Sequence, residues 1–512
     1  MTNQYNTIII GAGHNGLVAA AYLAKQGKKV LVLERRALVG GSVVTESFGE
    51  GFTVDSVWTG GTLRPDIIKD LGLDTSATNT RSTRPPFISL QPDGNHLTLS
   101  AESIKRFSEK DAARWGEFVR FMDKAASILD AVYATIMPRL PMNFNIREGY
   151  GLLELGLELR LAGRKDMLNF IRALPMTAQE LVEEYFESEI VKAAIASVAI
   201  HGSTLGPMSA GTGYTLIHNW MNRGGLAHVN VGKAGEITQA LANAVKAYGG
   251  EIRLEAEVKG IQVDMYTCKG IVLANGEEIF VDTIISALDP KRTFLSLVGP
   301  MNLPPEFVWH TQSIKMRGSV AKVHLLVKDI VGAGLVPAHD HDAQQAGRSQ
   351  GSPLPTMVIA PSIKYLERAY DAAKYGEISE KPYLEVTTSG NTVSIHFQFA
   401  PYALKKSSWQ VEGLKVEKLA IDTLAEYFPN LKSSIVNRKL ISPLDLEQTY
   451  GLTEGDLNHG QLMLDQFLFM RPIPGWSNHK TPIDNLYLCG SGVHGGGGVS
   501  GAAGRNVVKM LK

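Results

Sequence analysis

"NTIIIGAGHNGLVAAAYLAKQGKKVLVLERRALVGGS", residues 6–42, decides the fold. Thr7 to Ile10 form a β-branched run, a glycine turn follows, Leu17 to Ala24 recur apolar at helical spacing, and Val30 to Leu33 give a second strand. The pattern predicts a βαβ unit. Within it Gly11, Gly13 and Gly16, with Ala12 and Asn15 between them, make G-x-G-x-x-G. The first glycine permits the tight turn, the second lets backbone approach a pyrophosphate, and the third lets helix and strand pack closely. The helix N-terminus offers free N–H groups and a partial positive charge to phosphate. Glu34 ends the second strand about 20 residues after the turn, where an acid accepts hydrogen bonds from an unphosphorylated ribose.

Five residues after Glu34, beginning with Arg35, comes a second glycine pair, Gly40-Gly41, then Ser42. A nicotinamide-binding unit has no particular need of that pair. Here the chain resembles flavoproteins with the glutathione-reductase-type FAD domain, in which the acid, the spacer and Gly-Gly bring backbone near the FAD pyrophosphate. Many members carry arginine after the pair, and Ser42 departs from that.

Further stretches narrow the resemblance. "GTGYTLIHNWMNRGG" (211–225), "KAGEITQALANAVKAYGGEIRLEAEV" (233–258) and "LYLCGSGVHGGGGVSGAAGRN" (486–506), with the two N-terminal segments, resemble the phytoene-desaturase-like flavoproteins. The similarity is nearest to their subgroup of carotenoid ketolases and pyridine nucleotide-disulphide oxidoreductase domain-containing protein 2. The resemblance implies an α/β fold: a Rossmann FAD-binding domain of residues 1–75, 225–295 and 480–512, and an α+β substrate-binding cap of residues 76–224 and 296–479. It also implies noncovalent FAD, oxidation or isomerisation of a mostly apolar, carotenoid- or lipid-like substrate, and in some members peripheral membrane attachment. Val258 matches a valine that lies against the adenine, and Trp58 and Thr59 match the turn that walls the flavin ring.

The rest of the chain fits this division. Ser108 is a plausible cap for a helix whose apolar stripe includes Trp115, Phe118, Val119 and Met122. Residues 152–174 alternate leucines but favour helix by composition. Arg160, Arg164, Lys165 and Arg172 among those leucines could rest on an anionic membrane surface or form a solvated face. Residues 251–286 read as a meander with an Asn275-Gly276 turn, and strands near Lys322, Met357, Val386 and Ile395 mix with helices near 361–374 and 411–428.

Bulk numbers exclude other classes. Lysine plus arginine equal aspartate plus glutamate at 51 each, so no net field draws the chain to nucleic acid. Cys268 and Cys489 are the two cysteines, with no C-x-x-C pair for disulfide reduction, and they suit a reducing cytoplasmic setting. No apolar run approaches the roughly 20 residues of a membrane span. No G-x-S-x-G elbow or H-E-x-x-H helix supports hydrolysis. His339, Asp340, His341 and Asp342 read as a solvated loop, so no metal is expected.

For chemistry, Lys322 matches a flavin amine oxidase strand on which a lysine holds a water near the flavin, and His494 could act as acid or base at the flavin edge. His201, Tyr214, His218 and Trp220 are candidates for the substrate pocket, with core packing the alternative. Eight of the fifteen residues from Gly490 to Gly504 are glycine. The run predicts that Gly490, Ser491, Gly492 and the Val499 helix end complete the cofactor site, with Gly495 to Gly498 spared side chains that would strike the cofactor. An amine oxidase, or a flavin-binding scaffold without turnover, remains an alternative; electron acceptor and oligomeric state stay open.

Overall fold

The computed structural model describes residues 5–49, 51–58, 63–73, 86–140, 149–161, 163–223, 225, 233–330, 335 and 355–511. β1 (Thr7–Ile10) leads into α1 (His14–Lys25) and back into β2 (Val30–Leu33), followed by a hairpin of β3 (Thr45–Ser47) and β4 (Thr53–Asp55). β5 (Phe87–Ser89) and β6 (Leu97–Thr98) precede a helical run of α2 (Glu109–Ala134), α3 (Tyr150–Leu161), α4 (Arg164–Ala173), α5 (Glu189–Ile200) and α6 (Thr212–Asn222). α7 (Ala234–Ala247) then leads to β7 (Glu251–Arg253), β8 (Val258–Asp264), β9 (Thr267–Leu273), β10 (Glu278–Phe280) and β11 (Thr283–Ser286). The next stretch holds β12 (Val320–Val327), β13 (Thr356–Val358), α8 (Ile363–Lys374), β14 (Leu384–Ser389), β15 (Thr392–Gln398), α9 (Trp409–Ala425) and β16 (Ile435–Ile441). β17 (Leu486–Leu488) and α10 (Ala502–Met510) close the chain.

The first layer is a parallel five-stranded sheet in the order β17-β11-β1-β2-β7. β1 and β2 are buried throughout, as central parallel strands must be. α1 packs between α7 and α10 on this sheet, and Leu17, Val18, Ile237, Leu241 and Val507 share its core. Each such fully buried aliphatic side chain contributes about 1.5–3 kcal/mol. The crossing of α1 and α10 depends on Gly504, where a Cβ would lie 2.2 Å from the Asn15 carbonyl oxygen. Gly16 has the matching role one layer in, with a Cβ position 2.3 Å from the Gly11 oxygen.

The sequence between 251 and 286 differs from the expected meander. Of these strands only β8, β9 and β10 pair with one another in an antiparallel sheet, while β7 joins the parallel sheet at its edge and β11 lies between β17 and β1. Both are short runs flanked by turns, and their pairing with β2 and β1 is set by remote burial rather than local pattern.

The second layer is a seven-stranded sheet, β16-β12-β15-β14-β13-β5-β6. Its last two strands come from residues 87–98 and the others from 320–441, so two separated chain segments share one sheet. The helices from 109 to 222 pack beside it around Phe118, Leu129, Tyr214 and Trp220. Ser108 caps α2 by accepting from the Asp111 N–H, as its position predicts, and α3 and α4 make Tyr150–Leu161 and Arg164–Ala173 helical. The result is a glutathione-reductase-type α/β domain with an α+β cap.

Candidate cofactor cleft

A cleft of about 630 Å³ runs along the C-terminal ends of β1 and β2. Its floor is the glycine turn. Gly11 has φ +97°, which a side chain would strain, and Gly13 sits where a Cβ would meet no atom within 4 Å. Gly40 and Gly41 come against this turn: the Gly40 N–H donates to the Ala12 carbonyl at 2.9 Å, and a Gly41 Cβ would stand 3.3 Å from the Gly13 Cα. Ser42 lines the same wall. Ala12 is buried behind the turn, and its N–H donates to Glu34 Oε2 at 2.9 Å. Glu34 Oε1 accepts from the Arg36 N–H at 3.0 Å, so the carboxylate is fixed at the cleft wall with lone pairs left for ribose hydroxyls.

The cleft shows several signs of a missing partner. His14 Nε2, Asn15 Oδ1 and His459 Nδ1 are buried, border the cleft, and have no hydrogen-bond partner among the described residues. Buried polar groups are normally satisfied, so these atoms fit a ligand rich in acceptors and donors. Five cationic side chains (Arg35, Arg36, Lys259, Lys291, Arg292) border the cleft against three carboxylates (Glu34, Glu257, Glu447), which suits a pyrophosphate. Arg36 is held by Glu46 and by the face of Tyr450, 4.8 Å from its guanidinium carbon, and Arg35 donates to the carbonyls of Gln448 and Thr449. Arg36 also donates from Nη1 to the Gly41 carbonyl at 3.2 Å, next to Ser42. Val258, Trp58, Gly498 and Ser491 line the cleft as well. Thr59 lies outside the described residues, as does the loop of His339 to Asp342.

Other expectations are corrected. Gly490 and Gly492 do not border the cleft. Their Cβ positions fall 2.6 Å from the Leu288 oxygen and 2.6 Å from Pro290, so protein packing excludes a side chain there. The same holds for Gly495, Gly496 and Gly497, which press on the Tyr133 oxygen, the Ser491 oxygen and the His218 ring. Gly498 alone of these four reaches the cleft, and even its Cβ would meet Asn222 Oδ1 at 2.4 Å. The run is a close-packed crossing against α2 and α6 that places one glycine at the cofactor.

Neither chemical candidate borders the cleft. His494 is buried, bonds the Val132 carbonyl through Nε2 at 2.9 Å, and burial holds its imidazole down at about 4. It ties the glycine run to the end of α2 instead of acting on a ligand. Lys322 lies on a fully buried strand, on the face opposite Ala321, Val323 and Leu325, which pack in the cap core, and on the same face as His324, which bonds the Ser56 carbonyl at 3.0 Å. Sheet register places it opposite His396, which is in turn opposite Glu385. Burial pushes the Lys322 ammonium down to about 8, with Glu385 and Asp55 opposing the shift and Arg223 adding to it. Cys489 is buried, and its burial pushes the thiol well up, which leaves it unsuited to tether a flavin.

Of the pocket candidates, Tyr214 and Trp220 belong to the helical core: Tyr214 bonds Tyr133 at 2.7 Å and Trp220 donates to Asp123 at 2.8 Å. His201 and His218 border a small second cavity of about 20 Å³ that shares Trp58 and Gly498 with the cleft, and Val499 lines it too. Sequence reasoning missed His14, which the motif spacing could have flagged, and His459, whose left-handed φ of +55° and cleft position have no local signature.

With this geometry in place, comparison with known proteins is decisive. The sequence matches the family described as flavin containing amine oxidoreductase over residues 16–364. The chain belongs to that family. It is 31% identical, over 99% of this chain and 93% of the relative, to pyridine nucleotide-disulfide oxidoreductase domain-containing protein 2 of Rattus norvegicus. It is 25% identical to the lycopene-forming phytoene desaturase of Pantoea ananas, covering 97% of this chain and 96% of the relative. An oxidoreductase from Methanosarcina mazei shares the fold at a TM-score of 0.60 and 17% identity, over 99% of this chain and 100% of the other. This member of the family is an FAD-dependent oxidoreductase of phytoene-desaturase-like type, and the cleft is where its residues fit FAD.

Proposed function

We propose that this flavoprotein oxidises a largely apolar molecule at a carbon–carbon bond. When bound, FAD supplies the two-electron acceptor; the protein's part is to hold, orient and dry the reacting groups. The observation that carries the reading is where the cleft leads. Past Trp58 and Gly498 it adjoins a small cavity bordered by α6, and on the cleft side Trp58 packs with Leu452 and Leu457, which line the cleft. Trp58 presents an aromatic face along which an apolar chain can lie. The full-length similarity to a phytoene desaturase supports the same chemistry. The amine oxidase alternative leans on Lys322, which does not line the cleft itself but has Arg223, Glu385 and Asp55 as charged neighbours, near the small cavity that adjoins it. The test is anaerobic mixing of the yellow holoprotein with polyenes, lipids and amines. Bleaching of the flavin by a polyene or lipid and not by amines is expected; bleaching by amines, with peroxide released on admitting air, would overturn the reading.

The same reading includes contact with a membrane surface, where such substrates dissolve. Among the described residues no helix is long and apolar enough to cross a membrane. α3 and α4 nevertheless leave Leu153 72% and Leu157 59% exposed, and Leu168 51% and Ile171 54% exposed, beside exposed Arg160, Arg164, Lys165 and Arg172. In α4 the exposed Leu168 and Ile171 lie between Arg164, Lys165 and Arg172, the composition of an interfacial helix, while α3 adds exposed leucines in a sequence that holds Arg160 together with Glu154 and Glu158. The protein should sediment with anionic phosphatidylserine vesicles at low salt, and a Leu153→Asp/Leu168→Asp variant should lose at least half of that binding. Equal sedimentation of both proteins would contradict the assignment.

A further inference from the structure

The small cavity beyond Trp58 has a polar wall that an all-hydrocarbon substrate would leave unused. Arg223 ends α6, is buried to 3% exposure, and donates from Nη2 to Glu385 Oε1 at 3.0 Å. Its Nε and Nη1 are buried with no acceptor among the described residues. The other polar side chains around the cavity are engaged with the protein. Asn219 donates to the Val198 and His201 carbonyls, Asn222 bonds His218, and His201 stacks on His396 at 4.2 Å with Nδ1 3.2 Å from Glu385. Asn458 also borders the cavity, with Oδ1 lacking a partner, and a half turn of its amide presents N–H in place of C=O.

A guanidinium presents its donors in a rigid fork that matches the two oxygens of a carboxylate. Here Nη2 donates to Glu385, while Nε and Nη1 each keep an N–H without an acceptor among the described residues. Lys322 stands in the same row of side chains across β12, β15 and β14, so a second positive group lies within the field of Glu385. The cavity, at about 20 Å³, has room for little more than one water, so only the tip of a molecule enters it. Trp58 and Gly498, common to cavity and cleft, place that tip next to the cofactor end.

We propose that the substrate carries a carboxylate at one end of an apolar body, and that Arg223, at the cavity beyond Trp58, receives it. This rests on the apolar-substrate reading above and specifies it. Arg223 is then a specificity residue that positions the molecule through its end.

Retinoate and retinol test this, because they share a polyene body and differ in the terminal carboxylate. Each is titrated anaerobically into FAD-loaded protein, and binding is read from perturbation of the visible flavin band. Retinoate is expected to bind at least tenfold more tightly than retinol. Arg223→Gln should abolish that preference while leaving retinol affinity and flavin content unchanged, and Arg223→Lys should restore part of it. Because Arg223→Gln strands Glu385, an Arg223→Gln/Glu385→Gln double variant, which removes both charges, covers a failure to fold and should show the same loss. Equal binding of retinoate and retinol to the unaltered protein, as expected of a cavity that holds water alone, overturns the inference and spares the apolar-substrate reading. So does a preference that survives loss of Arg223. Failure of both compounds to perturb the flavin counts against the two together.

Discussion

Lys322 shows how a residue's meaning depends on its surroundings. Its strand lies between β15 and β16, every position of it is buried, and the ammonium is held down to about 8 by burial. A lysine depressed from 10.5 to about 8 costs the folded state roughly 3 kcal/mol wherever the unfolded chain is protonated. Below about pH 8 the group is charged in both states and the full penalty is present; between pH 8 and 10.5 the folded protein sheds the proton first and the penalty fades. Lys322→Met should therefore raise the denaturation midpoint at pH 7, with the gain shrinking as pH climbs toward 10. Destabilisation at pH 7 would show that the lysine's partners hold it charged. Loss of turnover in a stabilised variant would assign Lys322 a direct role in the reaction.

At the scale of the element, the glycine run from 490 to 504 is a packing device as much as a ligand site. Gly498 combines φ +67° with a Cβ position 2.4 Å from Asn222 Oδ1 at the cleft edge. A left-handed conformation costs a non-glycine residue about 1–2 kcal/mol before any clash is relieved. Gly498→Ala should lower stability by about 2 kcal/mol and weaken FAD retention at least tenfold, measured by denaturant melts and by flavin release on dilution. Unchanged retention would mean that the backbone there is not cofactor-facing. What could be read in advance follows the same logic. The first βαβ unit was legible because turn, helix and acid are fixed by spacing within about 30 residues. The reason for Gly495, Gly496 and Gly497 was not, because the atoms that exclude a side chain belong to Ser491 nearby and to Tyr133 and His218 on distant helices. The edge strand β7 and the burial of Lys322 escaped for the same reason: both are decided by pairing between remote segments.

For the whole molecule, the cleft links the two layers. Its base is the parallel sheet and α1, and residues 447–459, which follow β16 of the cap sheet, form one of its walls. FAD held there ties both layers together, and a ligand at a hundred times its dissociation constant adds about 2.7 kcal/mol to folding stability. Gly13 offers the cleanest probe of this account. Its φ of −69° suits any residue, and a Cβ there meets nothing within 4 Å, so a large side chain would fill the pyrophosphate end of the cleft without disturbing the packing behind it. The decisive measurement is FAD uptake by Gly13→Trp and by the unaltered apoprotein, each titrated to stoichiometry and checked for fold by circular dichroism. The unaltered chain should take up one FAD and gain thermal stability, while Gly13→Trp stays folded and colourless. A folded Gly13→Trp protein that binds FAD as tightly as the unaltered chain would contradict the assignment of the cleft.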